Sequence, residues 1–132
     1  MSYSSSEGRA KRKRKPKYEK VPIKDAGIDH QILCLHAAMA NKCLAEPILF
    51  EQVLARIETR HHANQMSYGS YLTWLAIIEL KATPEEFKRA LLEKSVKMRN
   101  MRRATVFTQV LTEQERVAVL DAITQARLKD TQ

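Results

Sequence analysis

The sequence predicts an all-α fold: a compact bundle of about five helices behind a disordered basic N-terminal arm. Three observations carry that prediction. Apolar residues recur at steps of three and four through most of residues 25–130. Only 3 Gly and 4 Pro in 132 residues leave too few tight turns for an all-β chain. Residues 1–24 hold nine basic and two acidic residues and almost nothing apolar, so they repel themselves and have no core to form. The expected division is therefore an arm over 1–24 and a single helical domain over 25–132, a length that buries enough surface to stand without staples.

The first helix is expected from about Asp29, read as its N-cap, to Leu44. Ile28, Ile32, Leu35, Met39 and Cys43 form its apolar stripe. Pro47 suits the first position of a second helix, whose Phe50, Val53, Leu54 and Ile57 share a face to about His62. Ala63-Asn64-Gln65 reads as a connection. A third helix follows Ser67 and runs to about Lys81. Tyr71, Leu72, Trp74, Leu75, Ile77 and Ile78 leave it so little polar face that it is expected at the buried centre. Thr83-Pro84-Glu85-Glu86 has the pattern of a capping box with proline at the first turn. The helix it opens carries Phe87, Ala90 and Leu91, and either continues or restarts after Ser95 through Met98 and Met101. Thr105–Leu111, β-branched and aromatic, reads as a short strand or an extended link on the core. Thr112-Glu113-Gln114-Glu115 is a second capping box and opens a last helix ending near Leu128.

Charge is distributed unevenly. The chain is +8, with +7 on residues 1–24, −4 on 25–87, +6 on 88–103 and −1 on 104–132. Two basic segments therefore stand out against acidic or neutral surroundings. In the arm, Arg9, Lys11, Arg12, Lys13, Arg14, Lys15 and Lys17 are the candidate phosphate contacts, because flexible cations neutralise phosphates without fixed geometry. In the body, Lys88, Arg99, Arg102 and Arg103 are the candidates. Arg99, Arg102 and Arg103 have no acid within four residues, and on one continuous helix Lys88, Arg99 and Arg103 would share a flank.

Other chemistry is not supported. His30 and Cys34 are four apart, but no Cys-x2–4-Cys pair accompanies the histidines, so no metal is expected. His61 continues the stripe of the second helix and reads as a half-buried core histidine. Cys34 and Cys43 are nine apart on one helix, about 13.5 Å along its axis, too far for a disulfide, and both are expected reduced. Glycine-rich phosphate loops and nucleophile elbows are missing, so neither an enzyme nor a cofactor is expected. The apolar run Tyr71–Leu80 is about half a membrane span, and Ser2 in place of glycine does not fit myristoylation, so no membrane role is expected.

The functional expectation is a small, non-enzymatic, accessory or regulatory nucleic-acid-binding protein, DNA or RNA, making backbone rather than base contacts. The alternative is an adaptor or inhibitor engaging an acidic protein, with Met98 and Met101 as either an adaptable apolar strip or core. Homo-oligomerisation is left open. The expected compartment is the cytoplasm, with Lys11–Lys17 also fitting a nuclear import signal in a eukaryotic or viral source.

Overall fold

The structure, a computed structural model, describes residues 23–130. The basic arm therefore lies outside the described residues. Six helices make up the body: α1 Ile23–Ala45, α2 Ile48–His62, α3 Tyr68–Glu79, α4 Pro84–Leu91, α5 Val96–Arg103 and α6 Glu113–Asp130, with a 3-10 turn at Leu80–Ala82 before α4. No strand occurs among the described residues, and the all-α expectation holds. No single helix among them is long and apolar enough to cross a membrane.

The helix ends show which local signals the backbone used. Pro47 disfavours helical geometry at Glu46, so α1 stops at Ala45 and the chain turns by 119° into α2. At the end of α2, Asn64 takes a left-handed conformation, φ 59°, with Asn64 N donating to His61 O and Gln65 N to Arg60 O. That pair of bonds is a Schellman closure, and asparagine tolerates the conformation better than most residues. Ser67 caps α3 by accepting from Ser70 N at 3.1 Å, and Ser95 caps α5 by accepting from Met98 N at 3.1 Å. The box at α6 closes in both directions, Glu115 N to Thr112 Oγ1 at 3.1 Å and Thr112 N to Glu115 Oε1 at 2.8 Å. The box expected at Thr83 does not form. Thr83 precedes α4, but its side chain makes no capping bond, and Pro84 opens the helix by its fixed φ alone.

Two larger expectations change. Helix α1 begins at Ile23, six residues before Asp29, so Asp29 is an interior residue and not a cap. Helix α3 is not the buried centre. It buries Trp74, Ile77 and Ile78 but leaves Tyr68 and Leu72 exposed, and its main helix contacts are with α2 and α4. The long α1 takes the central place instead, touching α2, α4, α5 and α6. Its buried positions are His36, Ala40 and Cys43, one turn apart from one another. The core they face is aromatic: Phe50 meets Phe87 edge-on at 5.2 Å, Phe87 lies 6.4 Å from Phe107, and Phe107 lies 5.9 Å from Trp74. Met98 and Met101 are buried in the same core rather than forming an exposed strip.

The segment expected as a strand or extended link, Thr105–Leu111, is a chain of turns whose Val106, Phe107 and Val110 are buried. A buried loop must find partners for its backbone polar groups without a ladder. Here side chains from α1 and α2 supply them. Arg56 Nη1 donates to Val106 O at 2.8 Å and Arg60 Nη1 to Thr105 O at 2.7 Å. His36 Nδ1 donates to Ile32 O at 2.8 Å, so its Nε2 is the acceptor for the Thr105 hydroxyl, also at 2.8 Å. Thr105 Oγ1 in turn accepts from Phe107 N at 2.9 Å.

Burial lowers the His36 pKa from its ordinary 6.5 to about 4; the bond to Ile32 O opposes the shift and nearby Arg102 reinforces it. Above pH 6.5 the ring is neutral in folded and unfolded chains alike. Between 6.5 and 4 only the unfolded chain takes the proton, so stability falls through that window, by about 3 kcal/mol in full. Urea denaturation at pH 7 and pH 4 should show this loss, and His36→Gln should lower stability at pH 7 but flatten the fall. An equally steep fall in the variant would remove His36 as its source.

Candidate nucleic-acid interface

Helices α4 and α5 are separate elements, divided at Leu92–Ser95, so the single basic helix that would align Lys88 with Arg103 does not exist. The break follows from the residues. Helix α4 ends at Leu91, and Ser95 caps a new helix whose first turn is free of acids. The Arg102 side chain holds the corner between them. It is 4% exposed and donates Nη1 to Leu91 O and to Glu93 O, both at 2.8 Å. Leu91 O is a carbonyl that the end of α4 leaves without a helical partner, and Glu93 O lies in the link that follows. Burial lowers the Arg102 pKa, partly offset by Asp29. Arg102 is thus a structural bracket and cannot meet a phosphate outside the body.

Arg99 and Arg103, one turn apart on α5, both face α1 and share one carboxylate. Arg103 reaches Asp29 Oδ1 with Nη2 at 2.6 Å and Nε at 2.8 Å, and Arg99 Nε lies 3.5 Å from Oδ2. The acid missing from the sequence neighbourhood is 74 positions away. One carboxylate against two guanidinia leaves a net positive charge at this junction. Lys88, half-buried, sits 3.8 Å from Glu85 on its own helix. The arm candidates Arg9, Lys11, Arg12, Lys13, Arg14, Lys15 and Lys17 lie outside the described residues.

Of the exposed cations that take no part in an ion pair among the described residues, Lys94 lies beside this junction, while Arg89 and Lys97 line the groove between α3, α4 and α5 together with Glu86 and Glu93. Arg89, Lys94 and Lys97 are exposed and within 4 Å of no carboxylate. Lys94 lines a cleft of about 240 Å³ with Asp29, His30, Arg99 and Arg102. The helix break aims Lys94 and Lys97 outward. Their sequence signal was the +6 segment itself, without the geometry that ranks its members. Arg56 and Arg60, two further arginines without a carboxylate partner, were not singled out in the sequence because they sit in the acidic stretch 25–87.

The arm joins the body at the same end. Ile23, where α1 begins, precedes Asp29 by six residues, a rise of about 9 Å along the helix. The point where residues 1–22 meet the body is therefore about two helical turns from the Asp29–Arg99–Arg103 junction.

Of the remaining histidines, His61 has a buried Nδ1 without a hydrogen-bond partner among the described residues. His61 is half-buried, as expected, and its ring stacks on Tyr71 at 3.8 Å. Tyr71 Oη donates to Glu58 at 2.9 Å. Cys34 Sγ is 3.6 Å from His30 Nε2, and Cys43 is a buried free thiol raised by burial to about 11. Among the described residues no three His, Cys, Asp or Glu side chains gather around a common point. Compared with family models, curated proteins and solved structures, the chain matches none.

Removing the Arg102 guanidinium leaves two carbonyls at a buried corner without donors. Arg102→Met should cost about 2–4 kcal/mol, and Arg99→Met, at the half-exposed end of a shared pair, about 1 kcal/mol or less. Thermal denaturation of both variants checks the order. Equal costs would mean that Arg102 does not hold the α4–α5 corner.

Proposed function

We propose that the protein is a small, non-enzymatic nucleic-acid-binding protein that holds phosphates with its basic arm and the exposed cations around the α4–α5 corner. One observation carries the reading: α1, the helix that directly follows the +7 segment in sequence, is paired through Asp29 with α5 of the +6 segment. Cations gathered along one surface raise the local potential more than the same charges scattered, and they neutralise consecutive phosphates with release of counterions. The body contacts in this reading are Arg89, Lys94 and Lys97, with Arg99 and Arg103 contributing half-compensated charge. Lys88 and Arg102 drop out as contacts. Accessory or regulatory action in the cytoplasm remains part of the proposal, and neither base reading nor a choice between DNA and RNA enters it.

A second reading, an adaptor for an acidic protein, is favoured by a groove of about 610 Å³ between α3, α4 and α5. Leu72, Ile77, Leu80 and Met98 make it apolar, and Arg89 and Lys97 flank it together with Glu86 and Glu93. A partner seated there keeps a salt-tolerant component of affinity that a phosphate backbone lacks.

Fluorescence anisotropy with single- and double-stranded DNA and RNA across a salt series separates the two. Binding should be micromolar near physiological salt, with log K falling by about 0.9 per duplex phosphate contacted for each unit of log salt. Arm neutralisation by Lys11/Arg12/Lys13/Arg14/Lys15→Gln and body neutralisation by Lys94/Lys97→Gln should each reduce that slope. No binding to any probe above low salt would sink the reading.

Asp29→Asn gives a test in the opposite direction. It releases Arg99 and Arg103 from their shared carboxylate, so affinity for nucleic acid should rise about two- to tenfold at low salt, with the gain fading as salt screens it. Unchanged affinity would place these two arginines away from the phosphates.

A further inference from the structure

A cleft of about 470 Å³ opens between α2, α3 and α5. Its apolar floor is Met66, Trp74 and Met101, and its walls carry Arg60 and Arg103. No carboxylate lines it. Arg60 has no carboxylate partner and Arg103 shares Asp29 with Arg99, so the cleft keeps a net positive charge that attracts anions.

Both guanidinia are held in place before any ligand arrives. Arg60 is fixed through Thr105 O at 2.7 Å and Thr108 Oγ1 at 3.5 Å, neither of which cancels its charge. Arg103 is fixed by Nε and Nη2 on Asp29, which leaves its Nη1 uncommitted. Neutral donors complete the wall. The Asn100 and Gln65 amides make no side-chain bond among the described residues, and Ser70 Oγ accepts from Ser67 while its own hydrogen stays available. Ser70 also belongs to the first turn of α3, which contains no acidic residue. The guanidinium N–H groups left over on Arg60 and Arg103 and the neutral donors are spread around the wall, which suits a tetrahedral anion with three acceptor oxygens better than a planar carboxylate. The volume lies in the small-molecule range of about 300–1,000 Å³, so it holds more than the anion alone, and a planar group has its place at the floor, where Met66 is half-buried and Trp74 and Met101 are buried.

We propose that this cleft binds the phosphate of a nucleotide, free or as one unit of a strand, with Arg60 and Arg103 on the phosphate and the base towards Met66, Trp74 and Met101. The strand version rests on the nucleic-acid reading above; the free-nucleotide version does not.

The chain has a single tryptophan and it lies in the cleft, so its fluorescence reports on this site. The full chain is titrated with AMP, adenosine, succinate and a 5′-phosphorylated tetranucleotide, with calorimetry alongside. AMP should saturate with a Kd on the order of 10–1,000 µM, and adenosine and succinate should bind at least about tenfold more weakly. A response to the tetranucleotide and not to AMP would assign the site to a strand phosphate, and a response to AMP alone to a free nucleotide; either supports the proposal. Asn100→Asp places a negative charge at the exposed rim without touching the buried bonds of Arg60, and it should weaken phosphate binding by about tenfold or more. Arg60→Lys keeps the charge, loses the fork and should weaken it as well. Adenosine or succinate matching the tighter of the two phosphate probes, silence of both readouts with every phosphate probe, or undiminished binding of that tighter probe by Asn100→Asp would overturn it. Salt-sensitive anisotropy with an unresponsive Trp74 would overturn the cleft and leave the arm-based reading standing.

Discussion

The fold depends on the burial of one irregular loop. Val106, Phe107 and Val110 fill the centre of an all-helical body, and they bring backbone carbonyls with them. Water cannot serve those groups there, and no neighbouring strand exists to do so. Arg56 and Arg60 from α2 bind the carbonyls, while His36 from α1 holds Thr105. Each of these is a polar or charged group taken out of water, which is costly unless its bonds are made. Made together, they fix α1, α2 and the loop in one arrangement. Phe107 then sits where it can meet His36, Trp74 and Phe87 at once.

Arg102 repeats the same solution at the α4–α5 corner. Helices of eight residues are too short to hold their place by themselves, and a guanidinium bridging two carbonyls ties the end of α4 to α5. The consequence for function is a sorting of the basic residues. Of the cations in 88–103, one is structural, two share Asp29, one pairs along its own helix, and Arg89, Lys94 and Lys97 face solvent without a partner. A run that looks uniform in sequence thus has members with different jobs. The Asp29 pairing also turns α1 into the link between the arm and α5.

Arg60 belongs to both parts of this picture. Its bond to Thr105 O supports the buried loop, and the rest of its guanidinium borders the acid-free cleft between α2, α3 and α5. Here one side chain stands at the boundary, so the core that fixes Arg60 also gives the cleft its rigidity.

The sequence by itself determined the helical class, the positions of most helix ends and the two basic segments. Those follow from interactions within a few residues: apolar steps of three and four, Pro47 and Pro84, and the caps at Ser67, Ser95 and Thr112. Even local signals failed where an alternative was available, as at Thr83, where proline alone starts the helix. Only the tertiary structure decided which helix is central, that Thr105–Leu111 is a buried loop, and which cations are free. A nearly continuous apolar surface on α3 suggested centrality, yet Tyr68 and Leu72 remain outside because α1 is longer and touches four helices. Arg99 and Arg103 looked unpaired because a search within four residues cannot reach Asp29. The reason is the same in each case. Backbone hydrogen bonds and caps are short-range in sequence, whereas burial and charge pairing depend on distance in space, which only the folded chain sets.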